Sequence, residues 1–425
     1  MARKRYAIVG TGGRSHMYYE ALVRDEAISK HNELVALCDE NPARMDYVNR
    51  VLETALPTYR PHEFGTMLGQ EKLDGLVVTT RDCHHDTYIV KGLEAGLRVV
   101  TEKPMVTDEE KCRAVLAAMA GREEQLVVTF NYRYAPHNTK IKEVLDSGAI
   151  GEVTLVEFHW FLDTSHGADY YRRWHRQKHN SGSLLVHKAT HHFDLVNWWT
   201  GETPEVVFAL ASKRFYRPET FPARVRCLDC DAKETCNFHI NLKDGKKAQA
   251  RYLEAEHEDG YLRDRCVFSP DIDIWDTRAA TVGYAGGLML SYSLNNYAPY
   301  EGYKVSFVGT KGRFEADVRE STYLNDMGEE AVRTKPEQGI ALRVFPLFAA
   351  SYDVPIEIAA GGHGGGDKRL LEDVFGVTDP AKDPFRRQAG GLDGAKSVLT
   401  GVAARRSIEW SRPVCIEELA PLPEA

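Results

Sequence analysis

The chain has 425 residues, 43% of them hydrophobic and 27% charged, a length that suits two domains and a composition that suits a folded globular protein rather than a disordered one. Its 54 basic and 62 acidic residues leave a net charge of −8, which argues against a nucleic-acid partner, and the basic start MARKRY is too short to be a nucleic-acid arm. No run approaches the roughly 20 apolar residues that span a bilayer, and RYAIVG is too short for a secretory h-region, so a cytoplasmic chain with no membrane segment and mostly reduced thiols is expected.

In chain order, KRYAIV is a β-rich run that ends in the turn GTGG and leads into the helical pattern SHMYYEALV. Gly10, Gly12 and Gly13 permit positive φ and close backbone approach, and a helix starting behind them points free N–H groups at a pyrophosphate. Ser15 stands where the third glycine of GxGxxG belongs, so the turn alone is a weak signal, and Arg14 and Ser15 enter the candidate site by position. A second strand, ELVALC, ends on Asp39, about where an acidic side chain meets the adenosine ribose hydroxyls. NPAR then opens the next helix. LDGLVVTT (ending on Thr80), LRVVTEKP and LVVTF read as three further strands separated by helical stretches. Strands alternating with helices at this spacing predict a parallel, doubly wound Rossmann sheet with a dinucleotide site. Asp39 favours NAD because its carboxylate repels a 2′-phosphate; Arg14 and Arg44 could still accommodate NADP.

VTEKPM places Glu102, Lys103 and Pro104 at the C-terminal end of a predicted strand, the edge where ligands sit in open α/β sheets. A lysine there can donate to a substrate oxygen and stabilise charge as hydride moves, and partial desolvation would lower its pKa. GTGG, Asp39, TRDCHHDTYIVKGLEAGLRVVTEKP, NYRYAP at 131–136 and GTKGRFE at 309–315 together resemble the Gfo/Idh/MocA family, a group of nicotinamide-dependent sugar and polyol oxidoreductases. The resemblance implies that Lys103 is catalytic, that a cis peptide precedes Pro104 and that His84 lines the cofactor cleft. It also implies a C-terminal domain built on a large, mostly antiparallel sheet that carries the substrate pocket and an oligomer interface.

SGSLLVHKATHHFD resembles the family helix with the sense G-x-L-x-D-x-x-x-H-x-x-D. Gly182, His191 and Asp194 match, whereas the family aspartate falls on His187. Positions i and i+4 share a helix face, so His187 and His191 can enter one cleft, and a histidine suits the proton that an alcohol loses together with hydride. His191 is the expected general base or acid, and Asp194 its orienting partner or a substrate contact. Replacing the aspartate by His187 should cost the site a negative charge and lower the Lys103 pKa further. Lys188 and His192 are expected to be peripheral. The HxxxH pair could also bind a metal or be structural.

FLDTSHGADYYRRWHRQ at 161–177 mixes aromatic and basic groups that can stack on a sugar ring and bond its hydroxyls; Tyr171, Arg172, Arg173 and Trp174 are candidate substrate contacts, with Arg133 and Tyr134 of NYRYAP. Cys227, Cys230, Cys236 and Cys266 lie in an apparent insertion near 213–270 that is flanked by charge. They could bind a structural zinc, with His239 as a substitute ligand, or remain free thiols. GGHGGGDKRLLEDVF sets five glycines around His363 before a helix that Asp367 would begin, and the resemblance suggests that His363 enters the sugar pocket. AGGLDGAKSVLTGVAARRSIEWSRPV reads as a helix with a small-residue face and a closing strand.

These readings predict an α/β protein with a dinucleotide-binding Rossmann domain over residues 1–130. Residues 131–425 are expected to form an α+β substrate-binding and oligomerisation domain, giving a homodimer or homotetramer. The expected function is hydride transfer between NAD(P) and a carbon of a sugar or polyol, with Lys103 and His191 handling the proton. Two alternatives use the same site: an NAD-dependent glycosidase working through transient sugar oxidation, and a non-catalytic sensor of nicotinamide and sugar.

Overall fold

Strand β1 (Lys4–Val9) sends Tyr6 and Ile8 to one face and Ala7 and Val9 to the other, and all four are buried, so β1 must lie in a sheet covered on both sides. In this computed structural model, which describes residues 2–320, 339–356 and 365–422, β1 is central. With β2 (Asn32–Cys38), β3 (Thr58–Tyr59), β4 (Gly75–Val78), β5 (Arg98–Thr101) and β6 (Leu126–Val128) it forms a parallel run in the order 6-5-4-1-2-3. Tyr6 and Ile8 pack beneath the helices His16–Arg24, Pro42–Leu52 and Gly366–Val374; Ala7 and Val9 pack beneath Phe64–Glu71, His85–Glu94 and Glu109–Met119. Local signals start two of these helices. Asn41 accepts the Arg44 N–H at 3.2 Å with Pro42 in the first turn, and Asp108 accepts the Lys111 N–H at 3.0 Å.

The later strands are β7 (Val153–Asp163), β8 (Pro204–Ser212), β9 (Thr277–Tyr284), β10 (Met289–Ala298), β11 (Glu301–Gly309), β12 (Gly312–Glu320), β13 (Gly339–Pro346), β14 (Tyr352–Asp353), β15 (Ala389–Gly390) and β16 (Val414–Cys415). All but β15 form a second sheet in the order 14-13-12-11-7-10-9-8-16, antiparallel except where β7 meets β10. The fold is therefore a Rossmann domain joined to an α/β domain with a mostly antiparallel sheet. β15 crosses back and pairs antiparallel with β6. The helix Gly391–Trp410 runs from there onto β8 and against the helix Ala189–Thr200, binding the two sheets together. Its small face explains the close approach: a Cβ on Gly401 would stand 2.2 Å from the Leu185 carbonyl oxygen and 3.1 Å from Val186 Cα. On its other face the second sheet leaves Val206, Phe208, Leu210 and Met289 exposed. Among the described residues no helix is long and apolar enough to cross a membrane.

The segment 213–276, between β8 and β9, corrects one expectation. The sequence predicts an insertion near 213–270 whose cysteines either bind a structural zinc or remain free thiols. In the structure Tyr216, Phe238 and Phe268 meet with ring centroids 5.5–6.5 Å apart, Ile272 and Ile274 are buried with them, and Asp276 accepts the backbone N–H groups of Arg214, Phe215 and Tyr216. Burial and hydrogen bonding hold the segment. Cys227, Cys230, Cys236 and Cys266 all line one small apolar pocket beside Phe221, Phe238 and Phe268, with the Arg172 guanidinium 3.3 Å from Cys227 Sγ and His239 turned to the Cys227 carbonyl. Among the described residues no three His, Cys, Asp or Glu side chains are placed to hold a metal ion, so the zinc reading is not supported, and neither is a metal on His187 and His191.

Candidate active site

The glycine turn opens one end of a long cleft. Gly10 has φ +92, and a Cβ there would lie 2.6 Å from the Thr79–Thr80 peptide, whereas a Cβ on Gly12 would have nothing within 4 Å. The turn is thus pressed against the end of β4 at Gly10 and open at Gly12, the shape a backbone needs to receive a phosphate. Gly10, Gly12, Gly13, Arg14, Asp39, Arg44, Thr80 and His84 line this cleft. The Asp39 carboxylate accepts the Thr11 N–H at 2.5 Å, the Thr11 hydroxyl at 3.0 Å and the Asn41 N–H at 2.8 Å. A carboxylate has about four acceptor sites, so it retains room for a ribose hydroxyl. These residues fit a dinucleotide. Ser15 does not face it: buried, its hydroxyl donates to the Gly12 carbonyl at 2.7 Å and closes the turn. The neighbour of His84, His85, is buried with its Nδ1 2.8 Å from the Pro104 carbonyl and its Nε2 3.2 Å from that of Thr80, behind the cis Lys103–Pro104 peptide.

Arg14, Thr79, Thr80, Arg173 and Trp174 line both this cleft and a second pocket, which makes the two continuous. Lys103, His187, Lys188 and His191 line the second pocket, with Asp82, Glu102, Asn131, Tyr170 and His175. β5 delivers Lys103 from the Rossmann sheet, and the helical segments 184–187 and 189–200 deliver the histidines from the second domain. Lys103 Nζ donates to the His187 carbonyl at 3.3 Å. Burial lowers its pKa to about 8, Lys188 and Arg14 add to that, and the Asp82 and Glu102 carboxylates oppose it. Burial pushes Glu102 upward, but Arg14 at 2.6 Å and Lys103 outweigh it and hold the carboxylate below its ordinary range. His191 stands edge-on to the rings of Phe130 and Tyr132, centroids 5.9 and 4.8 Å away, which fixes its plane at the pocket wall.

A carboxyl does stand beside His187, supplied by Asp82 rather than by the helix. Its Oδ2 lies 2.5 Å from His187 Nδ1, so a carboxyl from the end of β4 meets the imidazole that replaced one on the helix. Burial raises Asp82 well above and depresses His187 well below their ordinary values, as expected when a carboxyl and an imidazole share a proton away from water. Lys103 is accordingly lowered by burial first, not by a missing carboxylate. The signal was present in TRDCHHD: an acid just past a strand end at the ligand edge of the sheet.

Other expectations are also corrected. Lys188 is not peripheral: it joins the helical segments Leu184–His187 and Ala189–Thr200 and lies in the pocket, its ammonium 5.2 and 5.0 Å from the ring centroids of Tyr132 and Trp160. His192 does leave the pocket, stacking on Trp160 at 4.0 Å and bonding Tyr292. Arg133 and Asp194 form a buried two-bond pair at 2.8 and 2.6 Å and do not line the pocket, so Asp194 anchors Arg133 rather than substrate or His191. Tyr134 donates to Asp373. Tyr171 is core, donating to the Trp275 carbonyl at 2.7 Å and stacked on Tyr216 at 4.0 Å. Arg172 holds the insertion through Cys227 and the Phe238 carbonyl. Trp174 lines the pocket, as do Tyr170 and His175, which the sequence reading passed over. Asp367 lies within the first turn of Gly366–Val374 and accepts from Asn131 at 2.7 Å; His363 lies outside the described residues.

Comparison with known proteins accords with this geometry. Residues 4–130 match the oxidoreductase family, NAD-binding Rossmann fold, and residues 142–416 match the oxidoreductase family, C-terminal alpha/beta domain. The chain is 40% identical over 414 residues to the "Putative oxidoreductase YteT" of Bacillus subtilis (strain 168), covering 93% of this chain and 94% of that one. It is 27% identical over 208 residues to inositol 2-dehydrogenase of Rhizobium meliloti (strain 1021), covering 49% of this chain and 58% of the relative. Among solved structures, levoglucosan dehydrogenase in complex with NADH and levoglucosan superposes with a TM-score of 0.66 at 18% identity, covering 98% of this chain and 100% of that one. Myo-inositol 2-dehydrogenase of Lactobacillus plantarum superposes with a TM-score of 0.65 at 18% identity, covering 97% and 99%. With both family models spanning nearly the whole chain and a glycine-turn cleft leading to a lysine and histidine pocket, the protein belongs to the Gfo/Idh/MocA family of NAD-binding oxidoreductases.

Proposed function

We propose that this chain is an NAD-dependent dehydrogenase or reductase of a sugar or polyol. One observation carries the reading: Lys103 from the first domain and His191 from the second line one pocket that continues from the glycine-turn cleft. When bound, nicotinamide supplies the acceptor or donor of hydride. The protein's own groups manage the oxygen and its proton. Lys103, anchored on the His187 carbonyl, donates to the substrate oxygen and stabilises negative charge as it develops there. His191 takes the hydroxyl proton in oxidation and returns it in reduction. The Asp82–His187 pair fixes the backbone that Lys103 leans on, and the Glu102 carboxylate offsets part of the positive charge that Arg14 and Lys103 bring to the pocket. Tyr170 and Trp174 provide aromatic walls that suit the apolar face of a sugar ring. Relatives named for inositol and levoglucosan support a polyhydroxylated substrate. The exposed apolar row Val206, Phe208, Leu210 on the open sheet face supports association of copies of this chain.

The test is absorbance of reduced cofactor when purified protein is mixed with NAD and a library of sugars and polyols. Steady NADH formation that Lys103→Ala and His191→Ala each reduce by about 10²-fold or more is expected. Sugar release without net NADH would instead identify the glycosidase, and tight binding without turnover the sensor; either result displaces the dehydrogenase reading.

A further inference from the structure

The segment 213–276 does more than decorate the second sheet. It crosses to the Rossmann domain and docks on the two helices that flank the nucleotide end of the cleft. Arg251, buried, donates to the Tyr19 hydroxyl at 3.1 Å and lies over the Tyr47 ring at 5.0 Å. Asn41 donates to the Ala255 carbonyl at 2.9 Å. Arg44, itself buried, pairs with Asp259 at 2.8 Å. From this anchored position Tyr252 and Tyr261 face the same cleft as Gly12, Asp39 and Arg44. The Tyr261 ring sits between two guanidiniums, Arg44 at 5.6 Å and Arg81 at 5.9 Å.

We propose that this segment is a cofactor clasp: Tyr252 and Tyr261 close the cleft at its Asp39 end, and Asp259 occupies Arg44 so that the site takes NAD and refuses NADP. The proposal rests on the NAD-dependent reading above. The Asp39 end is where this fold receives the adenosine ribose, so aromatic side chains there cover adenosine and slow its escape. Discrimination follows from charge. A 2′-phosphate needs a free cation beside Asp39, and the nearby ones are engaged: Arg44 by Asp259, Arg81 by Glu40 at 2.7 Å, and Arg14 by Glu102 at 2.6 Å. A phosphate would have to displace Asp259 while adding its own charge beside Asp39 and Asp259. Because the clasp belongs to the second domain, cofactor exchange requires it to lift from the first.

Direct binding tests this without turnover. NADH fluorescence in stopped-flow displacement by excess NAD reads the dissociation rate from the full-length protein, and titration calorimetry reads Kd for NAD and NADP. Tyr261→Ala and Tyr252→Ala are expected to raise the NADH dissociation rate by about tenfold, while Tyr261→Phe stays close to wild type. Asp259→Ala is expected to leave NAD binding within about threefold and to tighten NADP by about tenfold or more. A cooperative thermal transition well above the assay temperature for each variant without cofactor shows that the fold is retained while binding is read, a lower midpoint being expected for Asp259→Ala and Tyr252→Ala because Arg44 loses its buried partner and Tyr252 its packing. Dissociation rates for both alanine variants within twofold of wild type, or an unchanged NADP Kd in Asp259→Ala, would overturn the clasp while leaving the enzyme reading intact. A wild-type protein that binds neither dinucleotide would overturn both.

Discussion

Lys103 gives the sharpest quantitative expectation. An ordinary lysine, with a pKa near 10.5, is about 97% protonated at pH 9, so an enzyme relying on it as a cationic donor would hold its activity across the neutral and mildly alkaline range. Burial in the pocket lowers Lys103 to about 8. The protonated fraction is then about nine in ten at pH 7 and about one in ten at pH 9. In carbonyl reduction at saturating NADH, where the ammonium must donate to the forming alkoxide, kcat/KM is expected to fall about tenfold between these two pH values. Lys103→Arg, charged throughout, should abolish the fall even if its absolute rate is low, and Lys103→Ala should lose both the rate and the inflection. The measurement is kcat/KM against pH from 6 to 9.5 by NADH absorbance, with protein integrity checked at each end. A wild-type profile flat from pH 7 to 9, or one whose inflection survives in Lys103→Arg, would refute the assignment of the titrating group.

Gly401→Val should destabilise the protein by about 1–3 kcal/mol and depress kcat, because its Cβ would collide with the Leu185 carbonyl just before His187; urea unfolding and steady-state kinetics together check this, and wild-type behaviour in both contradicts it. His175, His187 and His192 are buried with pKa values held well below the ordinary range, and His85 is lowered to about 4. Such groups stay neutral in the fold but charge when unfolded below about pH 6.5, so each removes about 1.4 kcal/mol per pH unit as pH falls from there towards its folded value. Burial raises Asp82 and brings Asp194 to about 7, and these two carboxyls shift the balance the other way without cancelling the four imidazoles. The urea midpoint should therefore drop between pH 7 and 5.5, and a constant midpoint would show that these imidazoles are not neutral in the fold. Phe208→Glu with Leu210→Asp should reduce the solution mass by light scattering to that of one chain; wild-type protein that is already monomeric, or an oligomer that survives the change, removes the open sheet face as an interface.

What the sequence determined by itself was whatever chain-local physics controls. The Gly10–Gly13 turn, the strand ending on Asp39, the lysine after β5 and the i, i+4 relation of His187 and His191 all follow from backbone preferences and periodicity within a few residues. So does the alternation of strands and helices that produces the parallel sheet. Tertiary structure decided which charges meet. Asp82 and His187 are 105 positions apart, and only the packing of the second domain on the first restores a carboxyl to a helix that lacks one. Arg133 and Asp194 looked like pocket residues from their neighbours, but burial in a two-bond ion pair turned them inward, since a lone buried charge is too costly to leave unpaired. Lys188 precedes His191 by three positions and shares its side of the helix, but only the packing against the rings of Tyr132 and Trp160 shows that its ammonium lies in the pocket. The contacts of Tyr252, Asp259 and Tyr261 with the nucleotide cleft left no local trace at all. Hydrogen bonds and ion pairs across hundreds of residues depend on how surfaces fit, and that fit is a property of the whole packed chain.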